Sequence, residues 1–223
     1  MTFGPIMEMP LGKDRIRMAP LSSEVMPEYI KDGGMQSGLV TRYLGHMGAT
    51  VLEDETDWFD RTRKDHSLIS WGIYVKISDS WRLIGGTSLF DIKHYHFSLA
   101  TSGCVIFRLE WWGKGVASTT HRARTWYAFS RLGLHQVNSE VYDVNIGSLK
   151  ALQSVGYESL YRERNQLFVD GIFHDKISLT VTNPLRPMWT AWWHGDRVPP
   201  RYEAARAKTQ TALNWALDNV QLV

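Results

Sequence analysis

Residues 104–117, Cys-Val-Ile-Phe-Arg-Leu-Glu-Trp-Trp-Gly-Lys-Gly-Val-Ala, constrain the fold more than any other stretch of the chain. An apolar run of strand length ends in a turn carrying Gly113 and Gly115, and a long helical pattern begins directly after it. The stretch reads as strand, glycine turn, helix. Glycines just ahead of a helix start let the main chain come close to a ligand, and the amides exposed there carry the positive end of the helix dipole. The turn therefore predicts a phosphate cradle. No Gly-Lys-Ser/Thr run follows, which excludes the nucleotide P-loop. The third glycine and downstream acid of the dinucleotide fingerprint are missing too.

The rest of the chain builds a mixed sheet around this unit. Residues 15–21 alternate like a strand, and 22–30 read as a capped short helix. Five glycines interrupt 32–50, so that stretch reads as loop with helical fragments beside a substrate site. Residues 53–64 are helical, with Trp58 and Phe59 on the apolar face and acids toward the N-terminal end, where the dipole favours them. Residues 70–77 and 81–90 form a hairpin whose Gly85-Gly86 pair suggests a bulge. A strand over 103–110, a helix over 115–132, a strand over 136–142 and a helix over 145–155 follow. Strands over 158–169 and 173–182 then join around Asp170-Gly171. Prolines break the pattern at 184, 187, 199 and 200. From Tyr202, the positions Ala205, Thr209, Ala212, Leu213, Ala216, Leu217 and Val220 recur at helical spacing. That stripe predicts a terminal helix packed on its own domain, with a homodimer contact as the alternative. The expected organisation is one α/β (α+β) domain over 1–182 and a Trp- and Pro-rich C-terminal extension over 183–223.

At 223 residues and 43% hydrophobic content, the chain can bury one full core. A net charge of +2 is too mild to argue for a nucleic-acid partner. No window approaches a membrane span. The lone Cys104 excludes an intramolecular disulfide and, with no secretory signal pattern at the N-terminus, favours the cytoplasm.

Two motifs at a definite separation carry a family resemblance. Trp112, Gly115 and Ala117 stand at the positions of Arg/Gln, two residues, Gly, one residue, Gly/Ala. Asn145 and Ser148, followed by Gly156-Tyr157, stand at those of Asn, two residues, Ala/Ser, then Gly-Phe/Tyr. The chain resembles the GNAT superfamily of acyl-CoA-dependent N-acyltransferases. Trp-Gly-Lys-Gly is a form seen in its branch of RimJ/RimL-type ribosomal-protein N-terminal acetyltransferases.

The resemblance implies a mostly antiparallel six- to seven-stranded sheet flanked by helices, and acetyl-CoA as co-substrate with no metal. It implies that main-chain groups of Ile106, Phe107, Arg108 and Leu109 pair with the pantetheine arm, an amide near Phe107 polarising the thioester carbonyl. Trp112, Gly113, Lys114, Gly115, Val116 and Ala117 would hold the pyrophosphate, with Asn145 and Ser148 completing the cofactor site. The tyrosine acid of many relatives is replaced by Leu152, leaving Ser148 to hydrogen-bond the departing thiolate. The branch's glutamate base would fall near Leu167. Glu140, in the strand beside the thioester strand, is the preferred base, with a water relay as the alternative. Glu110, Asp143, Glu163, His94, His96 and His174 are the other titratable candidates near strand ends.

The implied reaction is acetyl transfer to a primary amine, of a protein N-terminus or a small molecule, by direct attack in a ternary complex. The alternative is a non-catalytic acyl-CoA-binding or interaction module. His94-Tyr95-His96 has ligand-like spacing but no third ligand, so no metal site is expected. Cys104 reads as a small buried residue, and His121-Arg122-Ala123-Arg124 as the solvated face of the long helix. Trp189, Trp192 and Trp193, with Arg186 and Arg197, read as anchors holding the tail over an apolar groove.

Overall fold

In the computed structural model the described residues are 2–45, 48–94, 98–185 and 198–223. Tyr95 and His96 of the His-Tyr-His motif, and Arg186, Trp189, Trp192, Trp193 and Arg197 of the tail, lie outside them. The chain divides into two compact units: Met1–Asp91 with Gly103–Thr120 and Val220–Val223, and Ile92–Ser102 with His121–Asn219.

In the first unit, β1 (Met7–Leu11) and β2 (Asp14–Ala19) form a tight hairpin, and β3 (Ile69–Ile77) and β4 (Ser80–Lys93) a longer one. All pair antiparallel in the order β4-β3-β2-β1, and β9 (Gln221–Leu222) adds to the outer edge of β1. Strand periodicity turns Met7, Met9, Ile16 and Met18 inward, where all four are fully buried with Trp71, Ile73 and Val75. A second apolar cluster joins Leu21, Met26, Tyr29, Met35, Leu83 and Phe107, with Trp58 and Phe59 packed against it. Short elements supply its outer wall: α1 (Pro27–Ile30), α2 (Gly38–Thr41) and the longer α3 (Leu52–Thr62).

β5 (Leu99–Ile106) runs on from the second unit into the first. Its beginning pairs parallel with β6 (Gln136–Tyr142), from Leu99↔Gln136 to Ser102↔Ser139. β8 (Ile172–Thr182) pairs antiparallel with β6 and with β7 (Glu158–Val169). The β7–β8 turn is the expected one, Asp170 and Gly171 both taking positive φ, 51° and 78°. Three further helices lie among the described residues: α4 (Val116–Ser130), α5 (Ile146–Gln153) and α6 (Pro200–Asn219).

The sheet is mixed and mostly antiparallel, as expected, but has nine strands among the described residues rather than six or seven. The additions are β1, obscured by Pro10, and the two-residue β9, which carries no periodic signal. The expected stripe of α6 is buried at Ala205, Thr209, Ala212, Leu213 and Ala216, while Leu217 is exposed. The reading of His121 and Arg124 as solvated is corrected. Both are buried on α4, as are Thr120, Ala123, Thr125, Trp126 and Phe129, so that stretch of the helix has no free polar face. Arg122 stacks over Trp215 at 5.1 Å. Burial first, then the charge of Arg124, holds the His121 pKa well below the usual histidine range, keeping the ring neutral.

Candidate functional site

After β5 the chain makes one 3-10 turn, Leu109–Trp111, and passes through Gly113 (φ 72°) and Gly115 (φ 81°) before α4 starts. Left-handed φ at both positions is what demands glycine; another residue would cost roughly 1–2 kcal/mol at each. A side chain on Gly113 would meet nothing within 4 Å, and one on Gly115 would meet only Leu11 Cδ1, at 3.8 Å. The space over the turn is open. The amides of Gly113, Lys114, Gly115, Val116, Ala117 and Ser118 have no protein acceptor among the described residues. The first bonded amide of the helix is Thr119, to Gly115 O at 3.0 Å. Lys114 adds a cation, its Nζ held 4.6 Å over the Trp111 ring. Unsatisfied amides at the start of a 15-residue helix fit the pyrophosphate of a coenzyme.

The strand leading into this cradle ends earlier than its apolar run suggests. Of Ile106, Phe107, Arg108 and Leu109, only Ile106 lies in β5. The cause is a bulge in β4. Tyr74 pairs with Leu83 and Ile73 with Gly85, leaving Ile84 as the extra residue. The Ile84 carbonyl accepts the amides of both Phe107, at 3.0 Å, and Arg108, at 3.3 Å. These two amides, expected to face the donor, are thus already bonded to protein. A bulge was expected at Gly85-Gly86; both glycines pair in register, with Ile73 and Gly72, and the extra residue of the arm is the adjoining Ile84. Trp112, where the family motif has Arg or Gln, donates its indole N–H to Ile106 O at 2.7 Å and ties the strand end to the turn.

The Arg108 side chain is 3% exposed and points toward α1. Its guanidinium donates to Lys31 O (2.6 Å), Glu28 O (3.0 Å), Glu28 Oε2 (3.2 Å) and Asp32 Oδ2 (3.3 Å). This pins a segment in which Asp32 itself has positive φ, 52°.

Beside the pinned segment is a cavity of about 540 Å³. Tyr29 and Met35 line it from α1 and the turn after it, Glu55, Trp58 and Arg61 from α3, Ser70 and Ser88 from β3 and β4, and Gly103, Cys104 and Val105 from β5. Glu55 is only 5% exposed, and burial, helped by the charge of Asp54, pushes its carboxyl up to about 7. The Tyr29 hydroxyl is buried without a hydrogen-bond partner among the described residues. Burial, then the charges of Glu55 and Tyr74, hold the Tyr29 pKa well above the usual phenol range. A carboxylate poised near neutrality in a largely desolvated cavity along β5 can take a proton at working pH.

Glu55 escaped the sequence reading because its place in the first turn of α3 favours a charge. The available signal was its spacing, three residues before Trp58 and four before Phe59, which sets it on their face.

Most of the other expected residues lie in the second unit. Asn145 is the N-cap of α5, its Oδ1 accepting the Ser148 amide at 3.2 Å, while Ser148 Oγ makes no hydrogen bond among the described residues. Glu140 is exposed and, with Glu163, flanks Lys176, at 3.4 and 3.2 Å respectively. Asp143 holds His174 Nδ1 at 3.1 Å. Glu110, in the first unit, stands 3.9 Å from Arg82. Each of these acids has an exposed or half-buried ionic partner, unlike Glu55. No group of three potential metal ligands occurs among the described residues, and no helix there is long and apolar enough to cross a membrane.

This geometry, a glycine-turn amide cradle ending a strand that also walls a cavity with a buried carboxyl, is that of an acyl-CoA-dependent transferase. Comparison with known proteins agrees. The family model of the acetyltransferase (GNAT) domain matches residues 15–158. Probable N-acetyltransferase YjcK of Bacillus subtilis (strain 168) is 30% identical over 129 residues, 58% of this chain and 69% of that protein. Among solved structures, spermidine N-acetyltransferase from Vibrio cholerae in complex with CoA and spermine aligns with a TM-score of 0.65 at 16% identity, over 75% of this chain and 95% of that one. Mycobacterium smegmatis RimJ in complex with CoA-disulfide aligns with a TM-score of 0.64 at 15% identity, over 99% and 96%. The chain belongs to the GNAT family of acetyltransferases. It is an N-acetyltransferase with acetyl-CoA as its acyl donor.

Proposed function

We propose that the enzyme transfers acetyl to a primary amine seated in the cavity along β5, by direct attack in a ternary complex, with Glu55 as general base. The observation that carries this reading is the buried Glu55 carboxyl, its pKa raised to about 7, in a cavity that β5 also lines. A non-catalytic binding module has no use for such a group. Glu140, exposed and paired with Lys176, is a weaker base candidate.

Bound acetyl-CoA supplies a thioester carbonyl as electrophile and a thiolate as leaving group. The amides of Gly113, Lys114, Gly115, Val116 and Ala117 hold its pyrophosphate, and Lys114 adds charge. Trp112 keeps Ile106 in line for the pantetheine arm. The Glu55 carboxylate takes one proton from the incoming ammonium, freeing the nitrogen lone pair. The N–C bond then forms as the C–S bond breaks. The second nitrogen proton neutralises the sulfur, and Glu55 returns its proton to water. The Tyr29 hydroxyl accepts a hydrogen bond from the amine and orients it.

The test is thiol release from acetyl-CoA with a panel of primary amines and N-terminal peptides between pH 5.5 and 9. The wild-type kcat/KM is expected to rise with pH across about 7, because the base must be ionised. Glu55→Gln is expected to lose about 10²–10⁴ in kcat together with that rising limb. An unchanged profile in the variant would remove Glu55 from the role.

A further inference from the structure

We infer that the acceptor is an amine carrying an anionic group, with an apolar span between the two; this rests on the seating of the amine at Glu55 proposed above. Glu55, Trp58 and Arg61 all line the cavity, spaced at three-residue steps along α3. At 1.5 Å per residue, the backbone positions of Glu55 and Arg61 stand about 9 Å apart along the helix axis, with Trp58 between them. The order along the wall is acid, aromatic, base.

Each charge is available to a ligand. Asp54 also lines the cavity and accepts the Val51 amide at 3.1 Å through one oxygen, but it is exposed; Glu55 is the buried carboxyl of the wall. Arg61 has no carboxylate within ion-pair range among the described residues, although nearby Arg63 is paired with Asp60 at 2.6 Å. The Tyr29 hydroxyl, unpartnered among the described residues, gives the same cavity a buried polar atom for the ligand to satisfy, with Met35, Trp58 and Val105 also in its lining.

This arrangement selects by charge as well as by shape. A linear polyamine would bring a second ammonium toward Arg61, an unfavourable like-charge approach. An extended tripeptide with a free C-terminus matches both ends. At about 3.3 Å per residue, its terminal carboxylate lies roughly 9–10 Å from its amino nitrogen. Charge-assisted, forked recognition of a carboxylate is what a guanidinium does best.

The experiment compares Ala-Leu-Ala as the free acid, the same peptide as its C-terminal amide, and spermidine, using thiol release from acetyl-CoA. Wild type is expected to favour the acid over the amide by about tenfold in kcat/KM, mainly through KM, with a preference that shrinks as salt rises. Arg61→Gln should bring the ratio toward one, and Arg61→Glu should invert it, with circular dichroism confirming that both variants fold. An acid-to-amide ratio of one in wild type, a ratio untouched by Arg61→Gln, or spermidine turned over in preference to the acid would each overturn the inference. Glu55→Gln, run in parallel on the amide, separates the two levels. If its rising pH limb disappears while the acid shows no advantage, the base assignment stands and the acceptor class falls. If Glu55→Gln behaves as wild type, or if no amine gives turnover, both fall.

Discussion

The Tyr29 hydroxyl and the Glu55 carboxyl line one cavity and share its field: the carboxylate charge adds to burial in raising the phenol pKa, while the hydroxyl has no hydrogen-bond partner among the described residues. An unsatisfied buried hydroxyl is a cost to the free enzyme that a bound acceptor can relieve. Tyr29→Phe is therefore expected to raise stability by about 1 kcal/mol in the absence of acceptor. The same change should raise KM for the amine severalfold. Thermal melts and steady-state kinetics check the two signs, and a destabilised variant with normal KM would show that the hydroxyl serves the fold.

Glu55 makes stability depend on pH in a definite direction. Its folded pKa, about 7, lies above the ordinary 4.5, so the folded state holds the proton more tightly than the unfolded chain. The contribution is complete below about 4.5 and is lost as pH rises through about 7, because the carboxyl must then ionise in the cavity. Over that span the loss is about 3 kcal/mol. Glu55→Gln, which cannot ionise, should melt above wild type at pH 8 and lose this advantage near pH 4.5. Urea unfolding across the range gives the curve.

The cradle offers a test independent of the acceptor. Gly115→Trp places a large side chain over the open amides at a residue whose φ is 81°, and so both fills and strains the turn. Binding of coenzyme A by titration calorimetry should weaken by at least about 100-fold, while the melting temperature moves by only a few degrees. Unchanged affinity would move the coenzyme site elsewhere.

Arg108 ties the end of β5 to the α1 segment through four side-chain bonds. Arg108→Ala should destabilise by about 3 kcal/mol, mostly through the two carbonyls left without donors, because Asp32 is exposed and its freed charge can be solvated. Hydrogen exchange should rise at residues 28–34, and amine KM should rise with it. Unaltered exchange there would mean that the segment is held by its apolar contacts alone.

What could be read from residue order is what neighbouring residues decide among themselves. The strand-turn-helix around Gly113 and Gly115, the Asp170-Gly171 hairpin and the buried stripe of α6 follow from allowed dihedrals and side-chain periodicity. The resemblance to the family and its acyl donor was carried by two motifs, Trp112, Gly115 and Ala117, then Asn145, Ser148 and Gly156-Tyr157. Three things depended on residues far apart in the chain. Phe107 and Arg108 leave the strand because a bulge at Ile84 captures their amides. His121 and Arg124 are buried because packing closes around a helix whose polar residues suggested a wet face. The Glu55 carboxyl is raised to about 7 because Tyr29, Trp58 and the strand of Cys104 and Val105 close a cavity around it. A glycine turn carries its conformation in its own bonds, whereas the proton affinity of a carboxyl is set by the water removed from it, and only the tertiary structure removes that water.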